Sequence, residues 1–172
     1  KSVAALQGLE LVPVAGKDGA MDPDDLERQC HARKIRAIYL MPTVHNPLGT
    51  VMAEATRLRL VEIARRHDLL IIEDAAYAFL EPDPPPSLVT LAPERTVYVG
   101  GFSKSLATGL RLGYVIAPAI HTDRLLEVIR ATTWNAPALI SGLVIGWMKD
   151  GTLTSSEEIR RQDGAERQQL CR

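Results

Sequence analysis

"RTVYVGGFSKSLATGLRLGYVIAP", residues 95–118, contains two strand-like runs, 95–101 and 111–118, joined by about nine residues with no helical pattern. A parallel pair needs a crossover of a dozen or more residues, so this short link predicts an antiparallel pair. Working outward, the apolar runs "LELVPV" (9–14), "RAIYLMP" (36–42) and "LLIIED" (69–74) also read as strands, and helical patterns at 21–33 and 53–68 are interspersed with them. That alternation is the mark of a parallel sheet with crossover helices. Asp22 and Pro23 give the first helix its start signal. The second helix sets Leu60, Ile63 and Ala64 on one face, opposite Glu54, Arg57 and Arg65, so its apolar stripe should lie on a sheet. Beyond Pro118 the pattern is wholly helical, at 121–134, at 136–150 and in a polar stretch from about Ser155, while the proline-rich 81–94 predicts an irregular connection. The expected fold is α/β: a mostly parallel sheet sandwiched by helices, with one antiparallel strand and a helical C-terminal extension.

A chain of 172 residues with 46% hydrophobic content can bury one sizeable core. Its net charge of −1 and dispersed arginines form no basic stripe for nucleic acid. The longest apolar run, 138–147, is too short to span a bilayer, and the start shows no leader pattern, which gives a cytoplasmic expectation with no membrane contact. Cys30 and Cys171 have no metal-like spacing to His31, His45, His67 or His121, so the pattern predicts reduced thiols and no metal site.

In open parallel sheets, ligands bind beyond the carboxyl ends of the strands. Run 36–42 leads into "TVHNPLGT" (43–50), run 69–74 into "EDAAY" (73–77), and run 95–101 into "FSKS" (102–105). With these strands parallel and adjacent, Asn46, Asp74, Tyr77 and Lys104 emerge at one edge. Each has a plain reading by itself: Lys104 a solvated charge, Asp74 a loop cap, Tyr77 a core-edge aromatic, "NPLG" a turn. Their joint order argues otherwise, and so does the placement of Lys104. It is one of five lysines against fifteen arginines, and it alone follows a buried-looking strand. A phosphate-binding P-loop needs glycine before the lysine, where Ser103 stands, and an S-x-x-K nucleophile needs serine at Gly101. Both motifs fail.

"HNPLG" (45–49), D-x-x-Y (74–77), S-K (103–104) and G-x-R-x-G (109–113), in this order, resemble the large domain of fold-type I pyridoxal-phosphate enzymes, the aspartate-aminotransferase superfamily. The resemblance implies pyridoxal 5'-phosphate as cofactor and an amino acid or amine as substrate or effector. It makes Lys104 the amine that links to the cofactor aldehyde from a semi-buried strand end, and later the proton shuttle. Asp74 would pair with the pyridinium nitrogen, Tyr77 and Asn46 would bond the ring's phenolic oxygen, and Ser103 and Arg111 would hold the phosphate. Gly101 departs from the hydroxyl residue that many relatives carry there, so that one phosphate contact is absent or replaced by a backbone N–H.

The resemblance also implies segments outside 1–172: an upstream glycine-containing phosphate loop and stacking aromatic, and a downstream small domain with a carboxylate-binding arginine. The expected organisation is therefore an incomplete cofactor-binding domain at 1–150, with 151–172 starting the link to the small domain, in a homodimer. The wording of 39–52, 94–118 and 146–152 is similar to the aminotransferase-like effector domains of GntR-type regulators, the MocR group, in which a winged helix precedes the domain and alone touches DNA. Three readings stand: such an effector domain, a free-standing class I/II aminotransferase, or a relative that has lost the cofactor.

Overall fold

The computed structural model describes residues 2–170, with side chains from Ala4 onward; Cys171 lies outside them. A short helix α1 (Ser2–Leu6) is followed by a hairpin of β1 (Gly16–Lys17) and β2 (Ala20–Met21), then α2 (Pro23–Ala32), β3 (Ala37–Leu40), α3 (Glu54–Arg66) and β4 (Leu70–Asp74). The one-turn helix α4 (Leu88–Leu91), β5 (Thr96–Gly101) and β6 (Gly113–Ile116) come next, and α5 (Thr122–Thr132), α6 (Ala138–Lys149) and α7 (Thr152–Leu170) end the described chain. The main sheet has the order β3-β4-β5-β6, parallel except for β6, which runs antiparallel to β5 with Gly101 opposite Gly113. The short link at 102–110 produces that reversal, as its length predicts.

Strand and chain order coincide from β3 to β5, α2 packs against α3, and α3 packs against α4. α2, α3 and α4 accordingly form one layer. Ile38, Leu40, Ile71 and Thr96 point into it and meet Leu26, Leu60, Ile63, Ala64 and Leu88 in the core. By alternation along the strands, Tyr39, Asp74, Val99 and Val115 lie on the other face, which is partly open; Tyr39 is 57% exposed and Val115 47%. The Asp22 carboxylate caps α2 by accepting from the Asp24 N–H at 3.1 Å, with Pro23 in the first turn.

Three expectations need correction. Residues 9–14 are not a strand: no described segment pairs with them, Pro13 interrupts the run, and Leu9 and Leu11 are exposed. The hairpin comes just after, turning on Asp18 (φ 52°) and Gly19 (φ 75°), the left-handed pair that an Asp-Gly two-residue loop provides. Arg57 does not sit on the solvent side of α3. It is 0% exposed, and its five N–H groups face carbonyls and a hydroxyl instead of water. The proline-rich 81–94 is not wholly irregular, since it includes α4, which buries Leu88.

A β-carbon at Gly19 would lie 2.5 Å from Thr50 Cγ2, on a backbone that L residues rarely adopt. Thr50 is held there because its hydroxyl donates to the Gly19 carbonyl at 2.5 Å. Gly19→Ala is therefore expected to cost on the order of 1–3 kcal/mol, read as a lower denaturation midpoint. An unchanged midpoint would mean that this hairpin is not seated on the Thr50 loop.

Candidate functional site at the carboxyl ends of the strands

β3, β4 and β5 point the same way, so the loops that follow them open at one end of the sheet. Asn46 lies in the loop after β3. This loop is closed by backbone bonds from Met52 N to Pro42 O (2.8 Å), His45 N to Thr50 O (2.8 Å) and Gly49 N to His45 O (2.6 Å). Arg57 fastens its base: Nε donates to Met52 O at 2.9 Å, and Nη2 to Pro42 O at 2.9 Å and to the Thr43 hydroxyl at 3.0 Å. Nη1 reaches the carbonyls of Pro85 and Pro86, tying in the β4–β5 crossover. Beneath it lies Glu73, buried at 1% exposure, whose Oε2 accepts the Val89 N–H at 3.0 Å. Burial raises the Glu73 carboxyl above its ordinary range, with partial relief from backbone donors and from the Arg57 charge.

Asp74 ends β4 on the open face. Its Oδ1 accepts the Ala76 N–H at 3.0 Å and its Oδ2 accepts the Tyr39 hydroxyl at 2.5 Å. Burial, and then the Asp74 bond and charge, push the Tyr39 phenol up to about 12, so it stays a donor throughout the neutral range. Three residues beyond Asp74, Tyr77 shares a depression of about 220 Å³ with Asn46, His45 and Gly49. The Lys104 amine stands 5.7 Å from the centre of the Tyr77 ring. An amide, a phenol, a carboxylate and an amine thus gather at one end of the sheet.

Ser103 and Arg111 bracket the turn between β5 and β6, where the Ser103 carbonyl accepts from the Thr108 hydroxyl at 3.3 Å and Arg111 takes a left-handed backbone (φ 49°). Arg111 is exposed, and its side chain makes no hydrogen bond or ion pair among the described residues. Lys104 is exposed as well, correcting the semi-buried placement expected from the strand before it: β5 ends at Gly101, and the lysine lies in the turn that follows.

Sequence reasoning missed four contributors. Tyr39 is one, although its alternation along β3 puts it on the same face as Asp74. His45 is another: it borders both this depression and a cleft of about 340 Å³ beside the hairpin, and its Nδ1 is buried without a partner among the described residues. Arg57 is the third. The fourth is α7, which ties down two site loops at once. Ser156 Oγ and Arg160 Nε donate to the Ser105 carbonyl at 2.6 and 2.8 Å, and Arg161 Nη1 donates to the Phe79 carbonyl at 2.8 Å. A spacing of several dozen residues separates these partners, so no local pattern announces them.

A parallel α/β sheet whose strand-end loops gather an amine, an acid, a phenol and an amide defines a domain that takes a ligand at the carboxyl edge. The sequence profile of the family described as "Aminotransferase class I and II" matches residues 1–172, and the chain belongs to that family. It is 31% identical over 170 residues to YdeF, an uncharacterized HTH-type transcriptional regulator of Bacillus subtilis, covering 99% of this chain and 37% of YdeF. An uncharacterized aminotransferase of Saccharolobus solfataricus is 44% identical over 115 residues, covering 62% of this chain and 28% of the other. Among solved structures, LysN, the alpha-aminoadipate aminotransferase of Thermus thermophilus complexed with N-(5'-phosphopyridoxyl)-L-leucine, superposes with a TM-score of 0.83 at 29% identity, covering 91% of this chain and 43% of LysN. The chain therefore spans less than half the length of these relatives.

Proposed function

We propose that this chain is part of a pyridoxal-phosphate-binding unit in a GntR/MocR-type transcriptional regulator, where it senses an amino acid or amine. The observation that carries the regulator reading is the match to YdeF along 99% of the chain. The cofactor reading is supported by the donor set: Lys104 near the Tyr77 ring, Asn46 and Tyr77 around one depression, Asp74 anchored by Tyr39, and the partnerless buried nitrogen of His45 beside them. These groups fit an aromatic aldehyde that carries a phenolic oxygen and a basic ring nitrogen. Such a cofactor, once bound, supplies an electron sink for charge developing at an amino acid's α-carbon.

The protein's part in that chemistry falls to its own side chains. Lys104 would supply the amine that holds the cofactor's aldehyde carbon, and its Nζ would be the group that moves a proton. Asp74 holds a proton on the ring nitrogen. Each of its oxygens can accept a further bond, so the contacts to Tyr39 and Ala76 orient the carboxylate without using it up. Tyr77 and Asn46 bond the phenolic oxygen, and Ser103 and the forked, permanently charged Arg111 hold the phosphate. Residues 1–150 form an incomplete cofactor-binding domain and 151–172 start the link to a small domain, while α7 braces the loops. The unit works as a homodimer in the cytoplasm, with DNA bound through an upstream winged helix; no helix of the described residues is long and apolar enough to cross a membrane.

A free-standing aminotransferase is the second reading, favoured by the 44% identity to the Saccharolobus solfataricus enzyme. Gel-shift assays of the full-length protein on its own promoter, with and without cofactor and amino acids, separate the two. A shift that changes with the ligands supports the regulator. No DNA binding, together with steady conversion of amino acid and keto acid, overturns it in favour of the enzyme.

Tyr39→Phe tests the Asp74 arm. Loss of one hydrogen bond to a charged group, worth about 1.5 kcal/mol, should weaken cofactor retention roughly tenfold while leaving the fold intact. Unchanged retention, measured by equilibrium dialysis, would mean that Asp74 is positioned without Tyr39.

A further inference from the structure

Glu27 and His31 are four residues apart on α2, so both project from the same side of that helix. His67 caps the C-terminal end of α3, which packs alongside. One ligand atom from each of the three lies within 4.8 Å of the others, and His67 Nε2 is 3.9 Å from Glu27 Oε1. The His31 and His67 rings meet edge to face, 5.1 Å between centroids. The decisive detail is that His67 Nε2 is buried yet has no hydrogen-bond partner among the described residues. A buried polar atom left unpaired is costly, and a bound cation would give this nitrogen a partner.

We propose that Glu27, His31 and His67 form a binding site for a zinc-like divalent cation that clips the end of α2 to the end of α3. Two imidazoles and a carboxylate are a ligand set suited to Zn²⁺, with water completing the tetrahedron. Bonds of about 2.0–2.1 Å put tetrahedral ligands about 3.4 Å apart, so the three side chains must close by on the order of 1 Å. The site lies on the helix layer, away from the loops that carry Asn46, Asp74 and Lys104, and does not depend on the reading of those loops. Arg59 Nη2 stands 3.8 Å from Glu27 Oε2, and Arg66 pairs with Glu27 Oε1. The cation therefore shares its carboxylate with two guanidinium groups, which moderates its affinity. Sequence spacing did not reveal the trio because the third ligand comes from another helix and the first is an acid rather than a cysteine.

The test uses the purified full chain, stripped with a chelator and titrated with zinc chloride. One equivalent is expected to bind and to raise the melting temperature by several degrees. His31 is exposed, so His31→Ala should fold normally; it should bind zinc at least about tenfold more weakly and lose the thermal shift. Glu27→Gln should do the same, whereas Cys30→Ser, a change to a residue packed on the core side, should not. Zinc binding and stabilisation that persist undiminished in His31→Ala, or no stabilisation of the unmodified chain at saturating zinc, would overturn the proposal.

Discussion

Lys104→Ala is expected to abolish the covalent attachment of pyridoxal phosphate to the full-length protein. The unmodified protein should show a visible absorbance band, and borohydride should fix the pyridoxyl group to the peptide containing residue 104. Attack on an aldehyde needs an amine within reach of the bound ring, and Lys104 is the lysine carried on the strand-end loops, 5.7 Å from the Tyr77 ring. Lys104→Arg keeps the charge and should fail equally, because a guanidinium does not form the link. Lys104 is exposed and makes no side-chain hydrogen bond among the described residues, so both variants should keep the circular dichroism of the parent. A fixed pyridoxyl group persisting in Lys104→Ala would assign the linkage to another residue and overturn the role given to Lys104.

The second large effect is on stability. Arg57→Ala should destabilise the protein by about 3–5 kcal/mol, because it removes a partner of the buried Met52 and Pro42 carbonyls, the buried Thr43 hydroxyl and the buried Glu73 carboxylate. The carbonyls of Met52, Pro85 and Pro86 lose their side-chain donor, that of Pro42 keeps only the Met52 N–H, and buried Glu73 loses its countercharge. Domains commonly hold about 5–15 kcal/mol in all, so the variant should melt far below the parent. Arg57→Lys should recover little, because one ammonium cannot reach four carbonyls and a hydroxyl set around a planar fork.

The loss should also depend on pH. Glu73 is raised in the folded state above the 4.5 of a free glutamate, so its contribution to stability is full below about 4.5 and fades as pH climbs through the raised value. Removing Arg57 takes away a group that lowers that value. The destabilisation should therefore be smaller near pH 4 than near pH 7, as measured by denaturant titration at both. A loss independent of pH would show that the orphaned carbonyls account for all of it.

Much of the framework could be read along the chain because it depends on short-range rules. The short link at 102–110 imposed the reversal of β6, Asp22 and Pro23 opened α2, and apolar runs bounded by turns marked β3, β4 and β5. The Asp18-Gly19 turn was equally legible, since that pair is a strong hairpin signal, but the more apolar run at 9–14 drew the strand reading instead. Hydrophobicity alone does not make a strand. Its backbone needs a partner, and residues 9–14 have none among the described residues.

Arg57 shows the limit from the other side. Helical periodicity assigns an arginine to water because charge is costly to bury, and at this position five well-placed acceptors offset that cost. Those acceptors come from 42–52 and 85–86, so their convergence exists only once the chain has folded. The same holds for the Tyr39–Asp74 bond, for the hold of α7 on Ser105 and Phe79, and for the approach of His67 to Glu27 and His31. The amino-acid order by itself determined which segments become strands and helices and which four motifs follow them, because propensity, turn chemistry and link length act between near neighbours. Only the tertiary structure decided which side chains share an environment, because burial and hydrogen-bond partners are supplied by residues that sequence distance keeps apart.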